Sequence, residues 1–402
     1  MNKVRLGIVG VGAMGSSHLN NIRSGKLTNV KLAALCDLLP EKEALCSGKG
    51  FLEQYKKDVA EGKIDANLGN FLDESSLVCD DAAFFTDYKE LIKSGLVDAI
   101  VIATPHYAHT YIAEEALDAG IHVLTEKPIS VHKKDCLRII EAHKRNPELK
   151  WEAMFNQRTI PIHIKVKELL DNQMLGEIRR FSWTITDWFR SQAYYDSGTW
   201  RATWKGEGGG VLLNQCPHNL DLLCYFLGMP ARVRSFCSFG KFHRIEVEDQ
   251  VTAYLELPNG ANGLFITTTG EFPGTNRLEI AGDKGKLVME GGKLTLTKTD
   301  VPVQEFSDTT EKPWSHPNRE TLEVGVPAAP VINQHPQVLQ NFIDSILFDE
   351  KLIAPGEEGL MSVELANGIL MSTLKDKTVE FPLDADEYAE LLARLIAKSE
   401  NK

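Results

Sequence analysis

The feature that most constrains this chain is a glycine-rich turn between an apolar run and a helical stretch near its start. Residues 4–9 read as a β-strand, residues 10–15 read Gly-Val-Gly-Ala-Met-Gly, and residues 14–24 read as a helix. In a G-x-G-x-x-G turn the first glycine permits the bend, the second lets the backbone approach a pyrophosphate, and the third lets helix and strand pack closely. The pattern predicts a dinucleotide whose phosphates lie at the helix N-terminus.

A carboxylate follows the turn at the expected distance. Asp37 ends the second predicted strand, about 20 residues after the glycines, where it can accept hydrogen bonds from the adenosine ribose hydroxyls. Residues 38–40 are Leu-Leu-Pro, so no cation adjoins Asp37 to neutralise a 2′-phosphate. The sequence therefore predicts NAD rather than NADP.

The order of apolar runs predicts an α/β protein of two domains. In residues 1–150, short buried strands alternate with helices, which is typical of a Rossmann domain, a doubly wound parallel sheet. Its predicted strands are 4–9, 31–36, 99–103, 121–124 and 151–155, and its predicted helices are 14–24, 88–93, 111–119 and 133–144. The connection 41–83 is predicted to be partly helical, with no role assigned.

Residues 151–402 have a different pattern and predict an α+β domain with a large, mostly antiparallel open sheet. Its predicted strands are 178–188, 231–239, 249–257, 261–268, 277–281 and 286–290, and its predicted helices are 161–171, the stretch after 214, 331–348 and 359–374. Residues 301–330 are predicted to be irregular. One sheet face would be available to a partner subunit in a homodimer or homotetramer, and the C-terminal helices are expected to pack back on the first domain.

Charge and composition exclude several classes of partner. The chain has 44 basic and 56 acidic residues, a net charge of −12, which disfavours nucleic acid and anionic membranes. No secretory signal pattern and no apolar run of transmembrane length is visible. The seven cysteines are odd in number and form no C-x-x-C pair, which favours reduced thiols over a disulfide or metal framework. We expect a cytoplasmic protein without a metal site.

Two segments carry ionisable groups where chemistry is expected. Thr104-Pro105 with His109, and Glu126-Lys127, each follow a strand at its carboxyl end, the edge at which α/β sheets bind ligands. The charge of a lysine there would stabilise a developing alkoxide. The spacing alone is equally consistent with an exposed surface lysine that has no catalytic role.

The second segment runs from Gly208 to Asp221. Asn214, His218 and Asp221 are spaced four and three apart and would share one helix face. Pro217 is best tolerated near a helix start, which makes Asn214 the predicted N-cap. His218 is the natural proton acceptor near neutral pH, although a histidine near a helix start is more often structural.

Taken together, these motifs resemble the Gfo/Idh/MocA family of glucose–fructose oxidoreductase and inositol dehydrogenase type. The resemblance rests on the glycine turn with Asp37, on Thr104-Pro105 with His109, on Glu126-Lys127-Pro128, and on Gly209-Gly210 to His218-x-x-Asp221. It implies hydride transfer between NAD(P) and a hydroxyl-bearing carbon of a sugar, glycoside or cyclitol, with Lys127 and His218 as the catalytic pair. The implied cofactor contacts are Gly10, Gly12, Ala13, Met14, Gly15, Asp37, Thr104, Pro105, His109, Glu126 and Lys127.

One departure from that family concerns Asn214, where many members have Asp. An amide can position a hydroxyl but cannot accept its proton. The predicted substrate contacts are Asn156, Arg158, Asn214, His218, Tyr194 and Trp200. Further candidates are His163, Asp187, Trp188, Tyr195, Arg201 and Trp204. Most of the aromatic residues among the candidates are expected to lie in the core or at a subunit interface.

Three functions stay open at this point. The first is an NAD-dependent dehydrogenase of a small carbohydrate. The second is a glycoside-cleaving enzyme that oxidises, eliminates and re-reduces with the same NAD. The third is a non-catalytic sugar or redox sensor, which would not need Lys127 and His218.

Overall fold

The computed structural model describes residues 3–61 and 80–399. These form two compact units, each assembled from separate chain segments. The first unit takes the described residues of 1–130, 135–156 and 331–359, and the second takes 131–134, 157–330 and 360–399. The predicted division at 150/151 is coarser than this, because the chain returns to the first unit at 331–359.

The first unit contains a six-stranded parallel sheet in the order β3-β2-β1-β4-β5-β6. Its strands are β1 (Val4–Val9), β2 (Val30–Cys36), β3 (Ala83–Phe85), β4 (Ala99–Ile102), β5 (His122–Thr125) and β6 (Trp151–Ala153). Its connecting helices are α1 (Ala13–Arg23), α2 (Gly48–Ala60), α3 (Tyr88–Lys93), α4 (His106–Asp118) and α5 (Lys133–Arg145). The predicted Rossmann topology is confirmed.

The register of this sheet brings the carboxyl ends of its central strands together. Val9 pairs with Cys36 on one side and with Ile102 on the other, and Ile102 pairs with Thr125. The strand order reverses between β1 and β4, which is the point where such sheets bind ligands. The segments that follow β1, β2, β4 and β5 therefore leave from one edge.

The second unit contains a nine-stranded sheet in the order β14-β13-β12-β11-β7-β10-β9-β8-β15, antiparallel except where β7 meets β10. Its strands are β7 (Ile178–Ile185), β8 (Arg232–Phe239), β9 (Glu248–Glu256), β10 (Asn262–Thr268), β11 (Asn276–Gly282), β12 (Gly285–Glu290), β13 (Lys293–Thr299), β14 (Arg319–Glu323) and β15 (Val379–Glu380). The α-helices that follow residue 157 in the chain are α6 (Pro161–Asp171), α7 (Gln192–Asp196), α8 (Pro217–Leu227), α9 (Val303–Thr309), α10 (His335–Phe348), α11 (Gly359–Leu374) and α12 (Ala385–Lys398).

Helix α10 belongs to the first unit although it lies late in the chain. Its apolar residues Val338, Leu339 and Phe342 are fully buried in the same core cluster as Val4 and Leu6 of β1. The return of the chain is therefore an integral part of the Rossmann core.

The prediction of irregular structure for 301–330 is wrong in part, since α9 and β14 lie there. All five residues of β14 are exposed, so this edge strand has no buried alternation from which it could be predicted. Of the connection 41–83, residues 40–46 form a short 3₁₀ helix and α2 is helical as expected. The remainder, 62–79, lies outside the described residues.

Within the described ranges, every helix is too short or too polar to cross a bilayer. The six described cysteines are all free, and five of them are buried.

Candidate active site

The glycine turn has the geometry that its sequence predicts. Gly10 has a φ of +88°, a conformation that side chains disfavour. A Cβ on Gly15 would lie 1.8 Å from the Gly10 carbonyl oxygen, whereas a Cβ on Gly12 would meet no protein atom within 4 Å. Gly15 therefore serves helix–strand packing, and Gly12 leaves its backbone open to a ligand at the start of α1. This is the cradle that a pyrophosphate requires.

Asp37 is held beside this turn by two backbone N–H groups. Val11 N donates to Oδ2 at 2.7 Å, and Leu39 N donates to Oδ1 at 3.0 Å. A carboxylate has about four acceptor positions, so two stay available for the vicinal hydroxyls of a ribose. The residues fit an adenosine ribose without a 2′-phosphate, because the exposed neighbours Leu38 and Leu39 supply no cation.

His109 joins the segments after β4 and β5. Its ring nitrogens lie 2.7 Å from the Thr104 carbonyl oxygen and 2.8 Å from the Pro128 carbonyl oxygen. Burial lowers the pKa of His109, against the opposing effect of those two carbonyls. This predicted cofactor contact therefore holds two predicted site segments in place, and the second of them contains the cis Lys127–Pro128 bond.

Glu126 is fixed by a partner that the sequence analysis missed. His18 Nε2 lies 2.7 Å from Glu126 Oε1, and both side chains are buried. Burial acts to raise the pKa of Glu126, but the His18 hydrogen bond and charge outweigh it, and the pKa is lowered to about 2. The other oxygen, Oε2, accepts the backbone N–H of Lys127 at 3.2 Å. The His18–Glu126 pair thus connects α1, which carries the glycine turn, to the backbone of Lys127.

In the second unit, His218 lies in the first turn of α8 and is 7% exposed. The helix begins at Pro217 with Cys216 as its N-cap, so the prediction that Asn214 is the N-cap is wrong. The reason is that Pro217 occupies N1, where its missing N–H costs nothing. Asn214 lies in the preceding turn and does not share a helix face with His218 and Asp221.

Arg158 and Asp221 form a buried ion pair. Arg158 Nε donates to Oδ2 at 2.9 Å and Nη2 donates to Oδ1 at 2.6 Å, with both side chains 2% exposed. The guanidinium carbon also lies 4.5 Å from the ring centroid of Tyr225. This two-pronged contact gives Arg158 a structural role in anchoring α8, and its contact with a substrate stays a prediction.

The glycine run before His218 is held by a buried acid. Glu248 on β9 accepts the backbone N–H of Gly210 and of Leu212, at distances of 2.8 to 3.0 Å. Burial raises the pKa of Glu248 to about 7 in spite of these donors. A Cβ on Gly210 would lie 2.0 Å from the Glu248 carbonyl oxygen, so the loop passes against β9 too closely for any side chain.

Asn214 donates its amide to Glu207, a carboxylate that is 2% exposed. Its Oδ1 accepts from Tyr194 Oη at 3.2 Å and from Gln215 Nε2 at 3.0 Å. Arg201 donates to Tyr194 Oη at 2.9 Å. The carboxylate that this motif lacks at position 214 is thus present one contact away, at Glu207.

The other predicted contacts divide into core and surface residues. Tyr195 and Trp204 are buried, and Tyr195 donates to Thr269 Oγ1 at 2.8 Å. Trp188 and Trp200 are partly exposed.

The polar candidates have partners within their own units. Asn156 belongs to the first unit and donates to Gln334 at 3.1 Å, while His163 bonds the Gln157 carbonyl at 2.8 Å. Asp187 accepts from Asn276 at 3.2 Å. Lys127 lies in the first unit and His218 in the second.

Two family models match the chain. Residues 4–152 match a model described as an oxidoreductase family with an NAD-binding Rossmann fold. Residues 163–288 match a model described as the GFO/IDH/MocA C-terminal domain. The predicted cofactor, NAD, is therefore confirmed for the first unit, in agreement with the fit of its glycine turn and Asp37.

The individual relatives described next share about a quarter of their residues with this chain over the matched regions. Oxidoreductase P35 of Formosa agariphila is 26% identical over 201 residues, which are 50% of this chain and 58% of that protein. The inositol 2-dehydrogenase of Salmonella typhimurium is 27% identical over 174 residues, 43% of each chain. The matched regions thus span about half of these curated relatives. The WlbA dehydrogenase of Bordetella pertussis, solved with NADH and UDP-GlcNAcA, superimposes with a TM-score of 0.71 at 24% identity, covering 95% of this chain and all of that one.

Proposed function

This chain belongs to the Gfo/Idh/MocA family of oxidoreductases, and we propose that it is an NAD-dependent dehydrogenase acting on a secondary hydroxyl of a sugar, glycoside or cyclitol. The observation that carries the proposal is the shared sheet edge of the first unit. There the glycine turn, Asp37 and the Glu126-Lys127 segment all follow strands that end in register. A dinucleotide held by that turn would therefore lie at the same sheet edge as Lys127.

When bound, NAD supplies the hydride acceptor, its nicotinamide C4. The protein must then hold the hydroxyl, remove its proton and stabilise the oxygen as negative charge develops. We assign the charge stabilisation to the ammonium group of Lys127, whose backbone is fixed by the buried Glu126. We assign the proton to His218, the histidine in the first turn of α8. Asn214 cannot accept a proton, so His218 must release it by another route.

The proposal is tested by supplying candidate sugars and aryl glycosides to the purified protein with NAD. Net accumulation of NADH supports the dehydrogenase. Release of the aglycone without NADH would overturn it, because transient oxidation followed by elimination regenerates the NAD.

We also propose that the enzyme is a homo-oligomer, assembled through the open face of its nine-stranded sheet. Phe236, Tyr254 and Leu264 point to that face from β8, β9 and β10, and their exposures are 64%, 41% and 41%. Tyr254 and Leu264 are directly paired across the strands, and Phe236 lies on the same face opposite Thr252. Exposed apolar patches rimmed by polar residues are typical of subunit interfaces.

We further propose a cytoplasmic location. The free cysteines among the described residues and the need for NAD support it.

A further inference from the structure

We propose that the substrate carries an anionic oxygen group, a carboxylate or a phosphate, that binds the guanidinium of Arg190. The inference rests on the proposed function and specifies the class of sugar. It starts from a stack of side chains in the second unit, which we name the arginine–aromatic ladder. The ladder consists of Trp188, Arg190, Tyr194, Arg201 and Trp200.

Each guanidinium of the ladder lies close to two aromatic rings. The Arg190 guanidinium carbon is 5.7 Å from the Trp188 ring centroid and 5.2 Å from that of Tyr194. The Arg201 guanidinium carbon is 4.6 Å from the centroids of Tyr194 and Trp200. Cation–π contacts of this kind hold a guanidinium near the rings and leave its N–H groups able to bind an acceptor.

The ladder is attached to the segment that carries His218. Trp188 Nε1 donates to Asn219 Oδ1 at 3.2 Å, and Asn219 directly follows His218 in the chain. Tyr194 Oη donates to Asn214 Oδ1, on the other side of His218 in sequence. The ladder is therefore hydrogen-bonded to residues that flank the proposed proton acceptor in the chain.

Arg190 is also rigidly placed. Its backbone N–H donates to the Thr269 carbonyl at 2.9 Å. Its own carbonyl lies 2.8 Å from His243 Nε2, and that ring is bound through Nδ1 to the buried Asp249 at 3.1 Å. The side chain thus extends from a backbone fixed on both sides.

Arg190 differs from the nearby Arg201 and Arg244 in having no carboxylate partner among the described residues. Arg201 has Glu207 at 4.0 Å, and the exposed Arg244 has Asp196 at 3.8 Å. Among residues 3–61 and 80–399, the guanidinium of Arg190 has no acidic partner within 4 Å, and its one hydrogen bond is to its own neighbour, the Phe189 carbonyl, at 2.9 Å. A half-buried guanidinium with available N–H groups can form a bidentate ion pair with an anion that presents two oxygens.

The aromatic members of the ladder complete the recognition. Ring faces such as those of Trp188 and Tyr194 suit the apolar faces of a pyranose, so the ladder offers both a surface for the ring and a cation for its charged substituent. A neutral sugar would contact the rings and leave the Arg190 charge unpaired.

The test measures binding by calorimetry to the protein saturated with NAD, using D-glucuronate, D-glucose 6-phosphate and D-glucose. We expect one of the two anionic sugars to bind at least about tenfold more tightly than glucose, as for one charge-assisted contact. The better anion identifies carboxylate or phosphate. Arg190→Gln should remove most of that preference, measured as the ratio of the anion affinity to the glucose affinity, and Arg190→Lys should retain part of it. Arg244→Gln, an exposed arginine already paired with Asp196, is the matched control and should behave as wild type.

Equal binding of all three sugars, no binding of either anion, or an anion preference that survives in Arg190→Gln would overturn the inference. NADH formation recorded in the same samples separates it from the proposed function. NADH formed without any anion preference removes only the inference. An Arg190-dependent anion preference without NADH upholds the inference and removes the dehydrogenase.

Discussion

At the scale of single residues, we propose that Asp37 determines which dinucleotide the turn accepts. Its two oxygens are each oriented by one backbone N–H, and a 2′-phosphate would place a second negative charge against them. We expect Asp37→Ala to weaken NAD and to reduce the discrimination against NADP, both measured by fluorescence titration of the reduced cofactors. An unaltered preference for NADH would contradict the role assigned to Asp37.

The His18–Glu126 pair supports a second prediction. His18→Ala leaves a buried carboxylate without its partner and should lower the free energy of unfolding by about 3–5 kcal/mol, measured by urea denaturation at neutral pH. Lys144→Ala, which removes an exposed partner of Glu141, is the control and should cost less than about 1 kcal/mol.

The pH dependence of this effect has a definite sign. The folded-state pKa of Glu126 is lowered to about 2, so its stabilisation is present above the ordinary glutamate pKa and is lost as the pH falls through about 2. The gap between wild type and His18→Ala should therefore narrow below about pH 4. A gap that is constant down to acid pH would contradict the assigned ion pair.

Sequence alone located some of these residues and not others. The glycines and Asp37 follow from local pattern, because a turn and a strand end are local structures. His18 could not be paired with Glu126 by pattern, since the two are 108 residues apart. Glu207 and Arg190 were missed for the same reason: their importance lies in which neighbours they have, or lack, in the folded chain.

At the scale of elements, the close contact between α1 and β1 predicts opposite outcomes for two glycines of one turn. Gly15→Ala places a Cβ 1.8 Å from the Gly10 oxygen and should destabilise the fold by about 2–4 kcal/mol. Gly12→Ala meets no protein atom, so stability should change by less than about 1 kcal/mol while NAD affinity falls. Thermal unfolding and NAD titration of both variants make the comparison. Full NAD affinity in Gly12→Ala would contradict a pyrophosphate at that position.

Most elements were predictable because they alternate or run continuously apolar. The bounds of α3, α6 and α11 match their predictions, and β4 is buried on both faces as its continuous run indicates. The edge strand β14 and the start of α8 were not, because an exposed strand has no buried face and because Pro217 shifted the cap from Asn214 to Cys216.

At the scale of the whole molecule, the open sheet face predicts assembly. Leu264→Glu places a charge within the apolar surface and should convert the oligomer into monomers without unfolding them, since Leu264 is 41% exposed. Light scattering after size-exclusion chromatography measures the mass. Lys293→Glu, at an exposed strand end of the same sheet, is the control. A monomeric wild type, or an oligomer unchanged by Leu264→Glu, would contradict assembly through this face.

The central claim, that this family member is a dehydrogenase in which Lys127 stabilises the reacting oxygen, is tested most directly by one comparison. Turnover of an accepted sugar and affinity for NAD are measured for wild type and for Lys127→Ala. The account predicts NADH formation by wild type, its loss in Lys127→Ala, and nearly equal NAD affinity, because the glycine turn and Asp37 are untouched. Turnover that is unchanged in Lys127→Ala would contradict it.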